Sequence, residues 1–287
     1  MDYVVESSKR PIAGETCIGT SFQTYFGGKG ANQAIACARL GSNVSFLGCV
    51  GKDDVGKKCI QNLKENGVDT SNIREVDGET GSAHIVVADY DNSIIVVPGA
   101  NLHCTKEQVA HALKQSPDLV IVQNEIPMEC VEYTIQQCYE LKIPIIYNPA
   151  PAKQIDAKTL KKATYITPNE TEFKTLFNGV AYNEILSQMP NQLILTLGKR
   201  GVTFHNKEEV QRILAYTVEV VDTTGAGDTF NGAFAHGLMN KFSLEQSIKF
   251  ANLAAALSIQ KKGAQGGIPT IKQMKESKLY EEKWNTE

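Results

Sequence analysis

Five short runs of β-branched and apolar residues, spaced by segments of helix length, set the narrowest limits on the fold. They are VSFLGCV (44–50), DLVIVQ (118–123), IPIIYN (143–148), TYIT (164–167) and QLILTL (192–197). Helix-like stretches lie among and after them, clearest at 105–115, 128–141 and 243–261. Strands alternating with helices predict an α/β protein, a parallel sheet covered by helices on both faces. Two stretches differ in character. CIGTSFQTYF (17–26) and SAHIVVADYDNSIIVV (82–97) read as antiparallel strands, the second turning at Asp91-Asn92. They predict a small sheet projecting from the body as a lid, with strands across about 7–26 and 82–97 and a single domain over 1–287.

Composition removes several function classes. A net charge of −3 gives no basis for nucleic acid or a membrane surface as partner. No apolar run approaches the roughly 20 residues of a membrane span, and MDYVVESSKRP has no signal-peptide core. The seven cysteines form no C-x-x-C pair, so reduced thiols in a cytoplasmic protein are expected. The five histidines show no H-x-x-x-H spacing that would suggest zinc.

The segment VDTTGAGDTFNGAF (221–234) carries the chemistry. Val218-Glu219-Val220-Val221 reads as a short strand and Thr223–Gly227 as a turn. A helix follows with one apolar stripe: Phe230, Ala233, Phe234, Gly237 and Leu238. Strand, glycine turn and helix make an anion site, because first-turn N–H groups point outward and the helix dipole adds positive potential. Asp228 at the helix entrance would repel a bound phosphate unless it acts on something beside it. From this residue alone, an N-cap and a general base stay equally open. The turn lacks the Lys-Ser/Thr of a Walker loop and is not G-x-G-x-x-G, so a P-loop NTPase and a nicotinamide enzyme fit poorly.

D-T-T-G-A-G-D-T-F-N-G-A-F-A resembles the second signature of the ribokinase-like (PfkB) sugar kinases, and GGKGANQAIACARLG (27–41) resembles the first. PGAN (98–101), NPAPA (148–152), TPNETE (167–172), TLGKRG (196–201) and KKGAQGGIP (261–269) follow in the family's order, so the resemblance covers nearly the whole chain. It implies a three-layer, Rossmann-like sheet with a lid, and ATP-dependent phosphorylation of a sugar. GGKGANQA together with NPAPA is most similar to the branch that phosphorylates the 5-hydroxyl of D-ribose. A kinase for deoxyribose, fructose or pseudouridine, or a non-catalytic sugar- or nucleotide-binding relative, is the alternative.

Position by position, the resemblance makes Asp228 the catalytic base and the Gly225-Ala226-Gly227 turn the anion hole, through the N–H groups of Ala226 and Gly227. Asp2, Gly28, Lys29, Gly30, Asn32 and Glu125 match sugar-binding positions. Asn169 and Glu172 match residues that organise the triphosphate and, indirectly, its Mg²⁺. The segment Thr196, Leu197, Gly198, Lys199, Arg200 and Gly201, with Gly227 and Asn252, matches nucleotide contacts. Asp222, Thr224, Ser258, Lys261, Gly263 and Gly267 match the site of an activating K⁺ ion. The resemblance further implies a homodimer formed through the lids. Asn169 to Glu172 also reads as an ordinary helix start, and Asn252 as an exposed helix residue.

One departure bears on the fold. Family members open with an apolar strand and an asparagine ahead of the aspartate that Asp2 matches, and neither is present here. The expectation is a sheet whose first core strand is missing, and a native chain with more residues upstream. Five buried apolar residues at ~1.5–3 kcal/mol each rival the ~5–15 kcal/mol stability of a whole domain. A second departure is a short segment between Glu172 and Thr196, which predicts a trimmed peripheral helix.

Overall fold

The computed structural model describes residues 1–88 and 91–280. The chain opens with β1 (Asp2–Ser7), β2 (Gly19–Tyr25) and α1 (Lys29–Arg39). There follow β3 (Val44–Ser45), β4 (Gly48–Gly51), α2 (Asp54–Glu65), β5 (Val68–Asp69) and β6 (Ile73–Val76). Next come β7 (Ser82–Ala88), β8 (Asp91–Val97), α3 (Lys106–Leu113), β9 (Val120–Val122), α4 (Met128–Leu141), β10 (Ile145–Tyr147) and α5 (Ala157–Leu160). The remainder is β11 (Tyr165–Ile166), α6 (Glu170–Leu176), α7 (Tyr182–Gln188), β12 (Ile194–Thr196), β13 (Val202–His205), β14 (Val210–Ile213), α8 (Ala226–Met239), α9 (Leu244–Ser258) and α10 (Ile271–Glu276). Among the described residues no helix is long and apolar enough to cross a membrane, and all seven cysteines are free thiols.

The core is a sheet between two helical layers, and period-two alternation along its strands sorts side chains between them. Ile145 and Tyr147 of β10 join Val131, Ile135 and Cys138 of α4 on one face. Ile146 joins Phe230 and Phe234 of α8 with Ile248 and Phe250 of α9 on the other. From β9 through β10 and β11 the strands are parallel. Parallel bridges Ile166↔Leu193 and Asn169↔Thr196 carry the sheet on to β12, and antiparallel β13 and β14 finish it.

The other side is broken. β3 pairs only with β5 and β4 only with β6, both parallel, and neither pair is bonded to β9 among the described residues. Between them lies a cleft of about 1200 Å³, lined by Phe46, Leu47, Cys49, Leu119 and Ile121, with Met1 at its rim. The sheet is interrupted at this largely apolar cleft.

The projecting lid is a four-stranded sheet in the order β2-β1-β7-β8. It takes in more of the N-terminus than the expected span: β1 runs antiparallel to β2 and parallel to β7, while residues 8–18 form no strand. The β7–β8 ladder is unbroken from Ser82↔Val97 to Ala88↔Asp91, so Asp91 and Asn92 are strand residues. The turn expected at Asp91-Asn92 is therefore not found there, and residues 89 and 90 lie outside the described residues.

Two further expectations are corrected. Val218–Val221 is not a strand: it has no sheet partner, Val220 and Val221 are exposed, and the N–H of Val221 donates to Ile259 O at 2.8 Å. β14 already ends the sheet there, so the segment runs along the start of the loop after α9. Helix α8 is buried on nearly every side, from Asp228 to Gly237, instead of along one stripe. It is wedged among the sheet, α1 and α9, which explains its run of small residues. Between Glu172 and Thr196, two seven-residue helices, α6 and α7, occupy the trimmed segment.

Candidate active site

The site lies where the carboxyl ends of β9, β10 and β11 meet the first turns of α1 and α8. Helix α8 begins at Gly225, whose φ of 76° is left-handed and whose Cα sits against Ala264, so both conformation and space require glycine. Ala226 N–H closes the turn on Thr223 O at 3.2 Å. Gly227 faces open space, with nothing within 4 Å of where a Cβ would stand. Of the two N–H groups expected to form an anion hole, Gly227 therefore has the free approach.

Asp228 follows in the first turn and is 7 % exposed. It caps no backbone group; both its oxygens are held by side-chain amides. Asn32 Nδ2 donates to Oδ2 and Gln33 Nε2 to Oδ1, each at 2.9 Å. Burial pushes its pKa above the ordinary 3.8, while the Lys29 charge and the two amides pull the other way. A buried carboxylate whose pKa is raised toward neutrality while donors hold it in place is suited to accept a proton.

The sugar-side residues converge here. The Lys29 N–H donates to Glu125 Oε2 at 2.8 Å, tying the start of α1 to the loop after β9. Asp2, at the first residue of β1, lies against Gly27, where a Cβ would overlap its carboxylate. Gly28 (φ 93°) caps α1, Gly30 packs beside Phe46, and Asn32 is fixed by Gln265 Nε2, which donates to its Oδ1 at 2.9 Å. Burial raises the carboxyl pKa of Asp2, Glu125 and Glu172, and the positive charge of Lys29 opposes each shift. Lys29 thus sits among four carboxylates, counting Asp228. They do not crowd into one ion site: among the described residues no three His, Cys, Asp or Glu side chains are placed to hold a metal ion. Carboxylates in this arrangement can accept hydrogen bonds from hydroxyl groups.

Toward the nucleotide side, Asn169 and Glu172 form the capping box of α6. Asn169 Oδ1 accepts from Glu172 N–H at 2.9 Å and Glu172 Oε2 from Asn169 N–H at 2.8 Å. The helix-start reading holds, yet Glu172 is also buried within electrostatic reach of Lys29 and Asp228. Thr196 Oγ1 donates to Pro168 O at 3.2 Å, which places the TLGKRG turn beside that box. Leu197 is buried, Gly198 and Lys199 are exposed, Arg200 pairs with Glu170 at 2.5 Å, and Gly201 is left-handed at φ 86°. Asn252 is buried, contrary to the exposed alternative, and its Nδ2 donates to Leu214 O at 3.3 Å.

The residues expected around K⁺ fall into two neighbouring groups. Asp222 Oδ1 accepts from Thr224 Oγ1 at 2.6 Å and from Thr224 N–H at 2.9 Å, and its Oδ2 accepts from Gly263 N–H at 2.8 Å. Burial works against its charge, but Thr224, Gly263 and Lys262 together hold it below the ordinary value. Ser258 O presses on Gly267, and Lys261 is exposed, leaving only its backbone as a donor there. The Asp222 carboxylate and the Ser258 carbonyl are hard oxygen donors, the chemistry that a K⁺ ion would need.

A family model described as pfkB family carbohydrate kinase matches residues 1–271. The chain belongs to the pfkB family of carbohydrate kinases. The kinase is 49 % identical over 279 residues to a ribokinase of Bacillus subtilis, covering 96 % of this chain and 95 % of the relative. It is 49 % identical over 285 residues to a ribokinase of Lactococcus lactis, covering 98 % and 94 %. An Arabidopsis thaliana ribokinase solved with ribose and ATP superposes with a TM-score of 0.85 at 31 % identity, covering 95 % of this chain and 93 % of that one.

Sequence reasoning about the kinase missed the amides behind Asp228. Gln33, Gln123, Asn148, Thr167 and Asn231 form a connected polar layer under Asp228, and Gln265 backs Asn32. The available signal was a set of uncharged polar residues inside apolar stretches, which must be paired if buried.

Proposed function

We propose that this kinase transfers the γ-phosphoryl group of ATP to the 5-hydroxyl of D-ribose, giving D-ribose 5-phosphate and ADP. Asp228 takes the hydroxyl proton as the oxygen attacks phosphorus, and the Gly225–Gly227 turn offers N–H groups and the α8 dipole to the charge on the phosphoryl oxygens. The observation that carries this reading is the buried Asp228 carboxylate held by Asn32 and Gln33 beside the open front of Gly227. The ribokinase relatives at 49 % identity and the ribose- and ATP-bound Arabidopsis structure supply the substrate class.

Asp2, Gly28, Lys29, Gly30, Asn32 and Glu125 bind the sugar hydroxyls. The nucleotide lies along Thr196–Gly201 toward Asn252. Mg²⁺ bound with ATP neutralises phosphate charge, and Asn169 and Glu172 are the residues that would orient it through water. An activating K⁺ would be held by the oxygens around Asp222, Thr224, Ser258, Lys261, Gly263 and Gly267. We further infer a homodimer joined through the lids. One face of the lid carries a row from Phe22 of β2 through Tyr3 and His84 to Ile95 of β8, with Ile95 70 % exposed, and Ile94 and Val96 are exposed on the other face. The free thiols fit a reducing, cytoplasmic setting.

ADP release with MgATP and K⁺, measured for D-ribose beside deoxyribose, fructose and nucleosides, tests the assignment. Ribose is expected to give the highest kcat/KM. A preference for another acceptor would overturn the sugar, and no turnover with any acceptor would overturn the activity. Asp228→Asn is expected to lower kcat by about 10²–10⁴-fold with ATP affinity kept.

A further inference from the structure

Gln33 is 1 % exposed, one residue after Asn32 in the first turns of α1, and its carboxamide is fully committed. Its oxygen accepts from Gln123 Nε2 at 2.5 Å. Its nitrogen donates to Asp228 Oδ1 at 2.9 Å and to Asn148 Oδ1 at 3.1 Å. An amide has two N–H donors on one side and one oxygen on the other, so these three partners allow a single orientation. Turned over, Gln33 would set its oxygen against the Asp228 carboxylate and the Asn148 oxygen, and its N–H groups against those of Gln123.

The partners are themselves fixed. Asn148 Nδ2 donates to Thr167 O at 2.9 Å, which leaves Asn148 Oδ1 facing Gln33. Thr167 Oγ1 donates to Asn231 Oδ1 at 2.6 Å, and Asn231 Nδ2 donates to Gly227 O at 2.8 Å, one residue before Asp228. The hydrogen bonds form a closed ring that leaves the backbone of α8 and returns to the side chain of Asp228. It passes through residues that directly follow β10 and β11, while Gln123, directly after β9, braces Gln33 from outside. Three strand ends of the continuous sheet thus bear on one carboxylate oxygen.

We propose that Gln33 is the positioning residue for the phosphoryl-transfer base. Locked by Gln123 and Asn148, it fixes one oxygen of Asp228, keeps the carboxylate ionised and leaves its remaining lone pairs aimed at the sugar. The proposal rests on the reading of Asp228 as the base. The charged groups facing Asp228 are Lys29 from α1, Asp2 from β1, Glu125 from the loop after β9 and Glu172 from α6. Three of these are acidic and burial is unfavourable too, so the net surroundings other than Lys29 push toward protonation. The amide donors are the neutral means of resisting it. Losing a donor to the charged form raises the pKa of an acid, so the base is ready only at higher pH.

The test is the pH dependence of kcat for Gln33→Met, which keeps the side-chain length and removes the donor, and for Gln123→Met, which frees the Gln33 amide to turn. For Gln33→Met the acidic limb is expected to move up by about one pH unit. Turnover then falls roughly tenfold on that limb and recovers at higher pH, with KM for ATP unchanged. Gln123→Met should move the limb the same way by less. A loss equal at every pH, or an unmoved limb, in a folded variant would overturn the proposal. If Gln33→Met does not fold, the Gln123→Met profile decides by the same criterion. Asp228→Asn, run in parallel, separates the two readings. Full turnover there removes the base, whereas a dead Asp228→Asn beside an unmoved Gln33→Met limb removes only the positioning role.

Discussion

The two sides of the sheet are built to different standards. From β9 to β14 six strands connect without a break, both faces are covered by packed helices, and the polar layer under Asp228 hangs on the strand ends. From β3 to β6 there are two separate two-stranded pieces facing a cleft of about 1200 Å³. Asp228 and the Thr196–Gly201 turn belong to the first side. Asp2 and the glycines before α1 adjoin the second. The difference teaches that the two sides are coupled at one place: the cleft is lined by Gly27 and Gly28 and also by Gln33 and Gln123, so a defect there bears on the glycines before α1 and on the support of Asp228 together.

Filling the cleft is the strongest way to break this contrast. Fusing a five-residue apolar, β-branched strand and a short turn ahead of Met1 should bury roughly 1.5–3 kcal/mol per residue against about 1–2 kcal/mol of backbone ordering each. The net gain of about 2–5 kcal/mol should raise Tm by roughly 5–15 °C, with a Gly/Ser extension of equal length as control. An unchanged Tm would mean that the cleft does not accept a strand.

The contrast can be sharpened within one pair of neighbouring strands. Val120 N–H donates to Pro144 O and Asn124 N–H to Ala150 O, both on the β10 side. By alternation the N–H of Ile121 points to the cleft. Ile146 in β10 is flanked by strands on both sides. Hydrogen exchange at Ile121 is therefore expected to be at least about 100-fold faster than at Ile146. The fused strand should slow Ile121 and leave Ile146 where it is; equal protection in the parent chain would erase the distinction.

How much was legible follows the same division. The α/β class, the glycine turn and the place of Asp228 at the entrance of α8 could be read because turn chemistry and alternation are local signals. The break in the sheet beside β9 lies where the first core strand was expected to be absent. Val218–Val221 misled because β-branched residues signal a strand only when an edge is available, and β14 had already closed the sheet. Asp2–Ser7 was not placed in the lid because its partner, β7, is about eighty residues away, and such pairing leaves no mark in a local window. The Gln33 ring was invisible for the same reason, since Gln33 and Asp228 are 195 positions apart.

Smaller effects separate the two sides through their caps and charges. Asp53 caps α2 through Gly56 N–H at 2.6 Å and also accepts from Thr80 N–H at 2.8 Å, binding the fragmented side to the approach to the lid. Asp53→Ala should cost about 1–2 kcal/mol of stability in denaturant titration with kcat little changed. Asn169→Ala, in the capping box of α6, should cost about 1 kcal/mol and also raise KM for ATP.

The last and gentlest probe is pH. Asp2, Glu125, Glu172 and Asp228 all have folded-state pKa values raised above 3.8 or 4.5, chiefly by burial. For each, the folded chain binds its proton more tightly than the unfolded chain. Folding is therefore weakened as pH rises from the ordinary value through the raised one. Asp53 and Asp222 are lowered instead: burial alone would raise them, but hydrogen bonds from Thr80 and Gly56, and from Thr224 and Gly263, prevail. Their contribution is lost only as pH falls below the ordinary carboxylate range. The raised carboxyls of the ligand-free protein should accordingly cost stability as pH rises above about 4.5. His236, whose pKa burial lowers from 6.5, works the opposite way as neutrality is approached. Asp2→Asn should flatten that decline and raise Tm at neutral pH while increasing KM for ribose, because it removes a charge the fold bears for the sugar's sake. The same Tm profile from mildly acidic to neutral pH in both proteins would show that the Asp2 carboxyl does not carry the strain of the site.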